Sequence, residues 1–133
     1  MAIDTPGKQI VLLVEDEDQI AFLMRHMLEQ EGWAVQRAAD GKAAKELIGR
    51  LAPPALVTLD IALPDMSGVD LILHIKDTPG WQKVPIVMVT AKPKGKDVNW
   101  AIKSGADAYI VKPFKPDELR DCVRRLIGPK PAG

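Results

Sequence analysis

Short apolar runs alternate along the chain with longer segments whose apolar residues recur every three to four positions. Ile10–Val14 is an uninterrupted apolar run, the pattern of a strand covered on both faces in a parallel sheet. Asp18 is placed to cap the helix that follows, in which Ile20, Leu23, Met24, Met27 and Leu28 form one apolar stripe. Gly32 stops that helix. Residues 33–37 form a second strand that contains polar positions, which places it at a sheet edge. Asp40-Gly41 marks a turn, and Ala44, Leu47, Ile48 and Leu51 stripe a second helix that Pro53-Pro54 ends. Leu56–Leu59 is the third strand and residues 86–89 the fourth, with a short helix near 69–76 between them. Val98, Ala101 and Ile102 suggest a fourth helix stopped at Gly105, and Ala108–Val111 a fifth strand. A last helix carries Leu119, Cys122, Val123, Leu126 and Ile127 and ends at Gly128. Five strands alternating with five helices predict an α/β domain, a doubly wound five-stranded parallel sheet with helices on both faces.

Composition narrows this picture without redirecting it. The 133 residues are the size of one domain, read as an N-terminal extension (1–9), the domain itself (10–127) and a Pro/Gly-rich tail or linker stub (128–133). Eighteen Lys plus Arg balance eighteen Asp plus Glu. A neutral chain has no global attraction for nucleic acid or an anionic membrane, so neither is expected as a direct partner. Cys122 is the one cysteine, which excludes an internal disulfide and suits a reducing compartment. Its place on an apolar stripe makes it a packing residue rather than a nucleophile. The N-terminus has no basic start followed by an apolar stretch, and no apolar run approaches bilayer length. A soluble, cytoplasmic protein is expected.

In an open parallel sheet, ligands bind beyond the carboxyl ends of the strands, where the strand order reverses. The first strand delivers Glu15 and Asp16 to that edge, the third Asp60, the fourth Thr90, and the fifth Lys112 followed by Pro113. Three carboxylates together raise the cost of ionising them all, and a hard divalent cation relieves it. Mg²⁺ favours one or two carboxylates plus water and phosphate oxygens. A carboxylate can itself attack phosphorus to form an acyl phosphate. Lys112 offers a positive charge to phosphoryl oxygens, and Thr90 a hydroxyl donor.

The segments Val14-Glu15-Asp16-Glu17, Leu59-Asp60-Ile61-Ala62-Leu63-Pro64-Asp65-Met66-Ser67-Gly68, Val89-Thr90-Ala91 and Val111-Lys112-Pro113-Phe114 together resemble the receiver domains of two-component response regulators. The resemblance runs from about residue 10 to 127. Its pieces keep the family's order and spacing, with 30 positions from Asp60 to Thr90 and 22 from Thr90 to Lys112. It implies a flavodoxin-like fold of strand order 2-1-3-4-5. It implies that Asp60 is the phosphoacceptor, that Asp16 and Asp60 bind Mg²⁺ with the backbone carbonyl of Ala62, and that Glu15 binds through water or orients the site. Lys112 would contact Asp60 and then the phosphoryl group, with a cis peptide before Pro113. Thr90 would move toward the phosphoryl group and Tyr109 would turn inward behind it. The implied donor is a histidine kinase or phosphotransfer protein. A downstream protein would read the face formed by helix 4, strand 5 and helix 5.

Glu15 stands where the family more often has Asp. Ala62 and Lys92, two beyond Asp60 and Thr90, offer no help to an attacking water, so fast self-dephosphorylation is not expected. Lys115 precedes Pro116 where a Ser, Asp or Asn cap would suit the last helix better. Glu17 and Asp18 read as solvated acids, and Asp65 as an exposed loop residue. Trp100 falls opposite Val98, Ala101 and Ile102, on a face shared with Lys96 and Lys103. It is either a docking residue or folded onto the fifth strand. Phe22 points away from its helix's stripe, and Lys92, Lys94 and Lys96 form a basic loop.

A signalling switch is therefore expected rather than a turnover enzyme, with a phosphorylation-independent docking module as the alternative. An aspartyl phosphohydrolase of the haloacid-dehalogenase type needs a second Asp at the position of Ala62. No G-x-G-x-x-G or Walker motif follows the first strand. Residues 128–133 are too few for a DNA-binding module.

Overall fold

The computed structural model describes residues 9–91 and 95–128. Five strands form one parallel sheet: β1 (Ile10–Val14), β2 (Ala34–Ala38), β3 (Leu56–Leu59), β4 (Ile86–Thr90) and β5 (Ala108–Val111). Their spatial order is β2-β1-β3-β4-β5, which leaves β2 at one edge and reverses direction between β1 and β3. Five helices connect them: α1 (Asp18–Gln30), α2 (Gly41–Arg50), α3 (Gly68–Lys76), α4 (Gly95–Ser104) and α5 (Pro116–Ile127). The basic residues Lys92 and Lys94 and the tail beyond Gly128 lie outside the described residues, as do residues 1–8 and the side chain of Lys96. Among the described residues no helix is long and apolar enough to cross a membrane.

Strand alternation sorts the core into two layers. Leu12 and Val14 of β1 face one side with Val57, Leu59, Ile86 and Met88, packed against Ala44 and Ile48 of α2, Leu71, Ile72 and Ile75 of α3 and Ala101 of α4. Val11 and Leu13 face the other side, against Met24, Met27 and Leu28 of α1 and Leu119, Cys122 and Val123 of α5. Every residue of β1, β3 and β4 is buried, Thr58 and Thr90 included, as strands covered on both faces require.

Several local expectations shift. The α1 N-cap is Glu17, not Asp18, and no side chain caps it. Asp18 is instead the first helical residue and pairs with Arg37 of β2 at 2.8 Å. The buried stripe of α1 is rotated toward Ala21, because an alanine lets the helix approach the sheet closely. Leu23 is left exposed and Ile20 half-buried. Asp40 is the N-cap of α2 rather than half of a turn, accepting from Ala43 N–H at 2.7 Å. Trp33 is buried ahead of β2, which begins one residue later than expected. Among the described side chains of α4 only Ala101 is buried, while Val98 is half-buried and Ile102 exposed. The α5 N-cap is Lys115; its backbone N–H donates to Glu118 Oε1 at 3.1 Å, which replaces the cap its side chain cannot provide. Gly32 adopts φ 93°, the left-handed turn that ends α1.

The α1–α5 layer is tied at its edge by Glu31, whose Oε1 and Oε2 accept from Arg124 Nε and Nη2 at 2.6 and 3.0 Å. The Arg124 hydrogen bond holds the Glu31 carboxyl below its usual value. That contribution is present above the ordinary carboxylate value and is lost as pH falls through the lowered one. Glu31→Gln is expected to cost about 0.5–1 kcal/mol at neutral pH, as partly exposed ion pairs do. Urea denaturation between neutral and acid pH should show the difference from wild type shrinking as the pH drops.

Candidate functional site

The carboxyl ends of β1, β3, β4 and β5 meet at one edge and bring the candidate residues together. Glu15 follows β1 directly and is buried. Asp16 and Glu17 continue into the turn before α1 and are exposed. Asp60 follows β3 and is buried, and Thr90 is the buried last residue of β4. Lys112 follows β5, its backbone N–H donating to Thr90 O at 2.8 Å, and the Lys112–Pro113 peptide is cis.

Lys112 is the hub. Its Nζ lies 2.8 Å from Glu15 Oε1, 2.9 Å from Asp60 Oδ2 and 3.4 Å from Glu17 Oε1, with the side chain only 6% exposed. Burial alone would pull the ammonium down. The hydrogen bonds and charges of Glu15 and Asp60 outweigh that and hold it well above its usual 10.5. Burial pushes the Glu15 carboxyl up, opposed by Lys112 and by the Glu17 N–H that donates to Oε2 at 3.2 Å. Ala62 N–H donates to Asp60 Oδ1 at 3.0 Å, so both oxygens of Asp60 are oriented from within the protein.

Oxygens of Glu15, Asp16, Glu17 and Asp60 all lie within 4.8 Å of one another. Three of these four carboxylates pair with the Lys112 ammonium. An all-oxygen, predominantly carboxylate donor set fits a hard divalent cation such as Mg²⁺. The residues that could hold one are Asp16 and Asp60, with Ala62 two positions beyond. Glu15 is already engaged by Lys112.

Glu17 is exposed, as sequence reasoning expected of a solvated acid, but sequence reasoning gave it no part in this cluster. Also missed was Arg37 of β2, whose Nε and Nη2 donate to Glu15 O at 3.1 and 2.8 Å. While Nη1 pairs with Asp18, this fork clasps the turn that presents Glu15 and Asp16. An arginine interrupting an edge strand was the available signal. Asp65 is exposed, as expected, but accepts hydrogen bonds from the start of α2.

Gly68 sets the spacing behind Asp60. A Cβ there would overlap the Asp60 carbonyl oxygen and approach Ile61 Cα to 2.8 Å. Both obstacles are backbone and cannot rotate away. Gly68→Ala is expected to cost about 1–3 kcal/mol, the usual penalty of an overpacked site. Thermal denaturation reads that loss, and Mg²⁺ titration should show weaker binding as Asp60 is displaced.

Trp100 stands outward on α4, 59% exposed, and is not folded onto β5. Tyr109 also faces outward at 49% exposed; the inward turn expected of it belongs to the phosphorylated state. Ile102 and Val111 are exposed too. Phe22 projects from α1, 73% exposed.

Comparison with known proteins agrees with this arrangement. The sequence profile of the response regulator receiver domain matches residues 11–124. The DNA-binding response regulator MtrA of Mycolicibacterium smegmatis is 40% identical over 120 residues, covering 90% of this chain and 51% of that protein. The transcriptional regulatory protein KdpE of Mycobacterium tuberculosis is 38% identical, covering 87% and 51%. The chain therefore spans about half the length of the curated relatives it matches. Among solved structures, the receiver domain of a Pseudomonas aeruginosa sensor histidine kinase, with a magnesium ion coordinated in its active-site cleft, superposes with a TM-score of 0.81. It is 31% identical, covering 90% of this chain and 98% of that one. A CheY-like receiver domain protein from Methanospirillum hungatei gives 0.82 at 29% identity, covering 88% and 91%. Sheet order, strand-end residues and sequence similarity converge, and the chain belongs to the response-regulator receiver domains of two-component signalling.

Proposed function

We propose that this domain is a phosphorylation-dependent switch whose acceptor is Asp60. The observation that carries the reading is the placement of Asp60: buried at a strand end, with one oxygen held by Lys112 and the other by the Ala62 N–H. A phosphohistidine on a histidine kinase or phosphotransfer protein is the donor. An Asp60 carboxylate oxygen attacks phosphorus in line, the P–N bond breaks, and its electron pair returns to the imidazole. The product is an acyl phosphate. When bound, Mg²⁺ held by Asp16, Asp60 and the Ala62 carbonyl would neutralise charge on the phosphoryl oxygens. Lys112 supplies the second positive charge, anchored by Glu15, and Thr90 supplies a hydroxyl donor from the neighbouring strand end.

No released product or repeated turnover is required of such a site, so the domain acts as a switch rather than as an enzyme. The exposed residues Trp100, Ile102, Tyr109 and Val111 mark the α4–β5–α5 face as the surface a downstream protein reads.

The test is to incubate the protein with Mg²⁺ and a small acyl phosphate, weigh it intact, and locate the modification after borohydride reduction. One phosphoryl group at residue 60 supports the proposal. No gain with small or protein donors, while a captured partner is retained, would replace it with a phosphorylation-independent docking module.

A further inference from the structure

We propose that Asp65 is a positioning residue for the Asp60 site, clamping the loop after the phosphoacceptor onto the first turn of α2. The inference deepens the reading of Asp60 as phosphoacceptor and rests on it for its functional consequence. The loop spans residues 61–67. Its neck is closed by an isolated antiparallel bridge between Ala62 and Ser67 and by Gly68 N–H donating to Ile61 O at 2.7 Å. Within that neck, the Ala62 N–H orients Asp60 Oδ1.

A neck of this kind closes the loop but leaves its tip free to swing. Asp65 removes that freedom. Its Oδ1 accepts from Gly41 N–H at 2.7 Å and its Oδ2 from Lys42 N–H at 2.9 Å. These are among the unpaired donors of a helix start, where a carboxylate is favoured. Met66 packs beside them, in space that a side chain on Gly41 would occupy. The tip is therefore fixed by two charge-assisted hydrogen bonds and one packing contact, all to a helix more than twenty residues earlier in the chain.

The start of α2 does not depend on this clamp. Asp40 already caps the helix locally, accepting from Ala43 N–H through its side chain and from Ala44 N–H through its carbonyl. Two aspartates thus serve one helix start, and only one of them holds the loop. That division supplies the control.

Asp40→Ala and Asp65→Ala each remove one acceptor group from α2, but only the second frees the loop. Asp65→Ala is expected to weaken Mg²⁺ binding, read by titration calorimetry, by about tenfold, as loss of an outer support of a metal site does. It should also speed hydrogen exchange at the Ala62 amide and slow phosphorylation by a small acyl phosphate. Asp40→Ala should lower thermal stability while leaving Mg²⁺ affinity and Ala62 exchange at wild-type values. Asp65→Asn, which keeps one acceptor oxygen, should fall between wild type and Asp65→Ala, and it serves if the alanine variant fails to fold. Equal effects of Asp40→Ala and Asp65→Ala, or wild-type Mg²⁺ affinity and Ala62 exchange in both Asp65 variants, would overturn the proposal. If wild type takes no phosphoryl group, the acceptor reading fails on its own, and Ala62 exchange still decides whether the clamp exists.

Discussion

Asp60→Asn is expected to abolish phosphoryl uptake completely while leaving the protein folded and no less stable than wild type. The loss of activity follows from chemistry. An amide has no anionic oxygen to attack phosphorus. The retained stability follows from charge. Asp60 is one of four clustered carboxylates, three of them paired with the Lys112 ammonium, and Asn has nearly the same shape. Its amide oxygen can still accept from Lys112 at the expense of the Ala62 N–H bond, while one negative charge leaves the cluster. We expect the variant to gain up to about 1 kcal/mol, the trade of stability for function common at active sites. Intact mass after incubation with a small acyl phosphate tests the first part and urea denaturation the second. A phosphoryl group carried by Asp60→Asn would mean that the acceptor is another residue.

Lys112→Met is expected to have the largest effect on stability, about 3 kcal/mol at neutral pH, in the range for breaking a buried pair. Methionine fills the space of the stem but leaves Glu15 Oε1 and Asp60 Oδ2 buried with no cation between them. The pH dependence identifies the cause. In wild type, the Lys112 ammonium is held above its usual 10.5, so its contribution is fully present below that value. It is lost only as pH rises through the elevated one. Near neutrality the wild-type contribution is therefore flat.

In the variant the opposing pull on Glu15 is gone, and burial pushes that carboxyl higher still. The folded state then binds protons that the unfolded state does not. The variant should regain stability as pH falls from neutral toward the ordinary carboxylate value, where one protonated carboxyl can donate to the other. Phosphorylation should fall by at least about 10²-fold, as when a preorganised charge is removed from a developing anion. A pH-independent deficit between neutral and mildly acid conditions would mean lost packing, not uncompensated carboxylates.

The residues that were legible at the sequence level share one property: their positions follow from local pattern. Asp60 and Lys112 come directly after short apolar strands and Thr90 ends one, so a parallel sheet delivers them to the same edge whatever the details of packing. For Trp100, phase on α4 left two readings open, a docking residue or one folded onto β5, and its exposed position decides between them. The contacts that were missed depend on something else. Glu17 meets Lys112 across 95 positions, Asp65 meets Gly41 across 24, and Arg37 reaches Glu15 across 22. Each pairing needs two elements to be spatial neighbours, which periodicity does not specify. The rotated stripe of α1 has the same origin. Ile20 and Leu23 satisfy the helical period as well as Ala21 does, and only the approach to the sheet selects the small residue.

By itself, the sequence determined that the chain alternates strand and helix, that the first strand is buried on both faces, and that carboxylates, a hydroxyl and a lysine gather at the carboxyl ends of the strands. The periods of apolar residues are set by backbone geometry, so they can be read without a neighbour. Tertiary structure decided which carboxylate Lys112 holds and that Glu17 joins them. It decided that Arg37 and Asp65 brace the two loops of the site, and that Tyr109 faces outward. Those outcomes turn on distances of about 3 Å between groups far apart in the chain, and only the packed sheet and its helices bring such groups within reach.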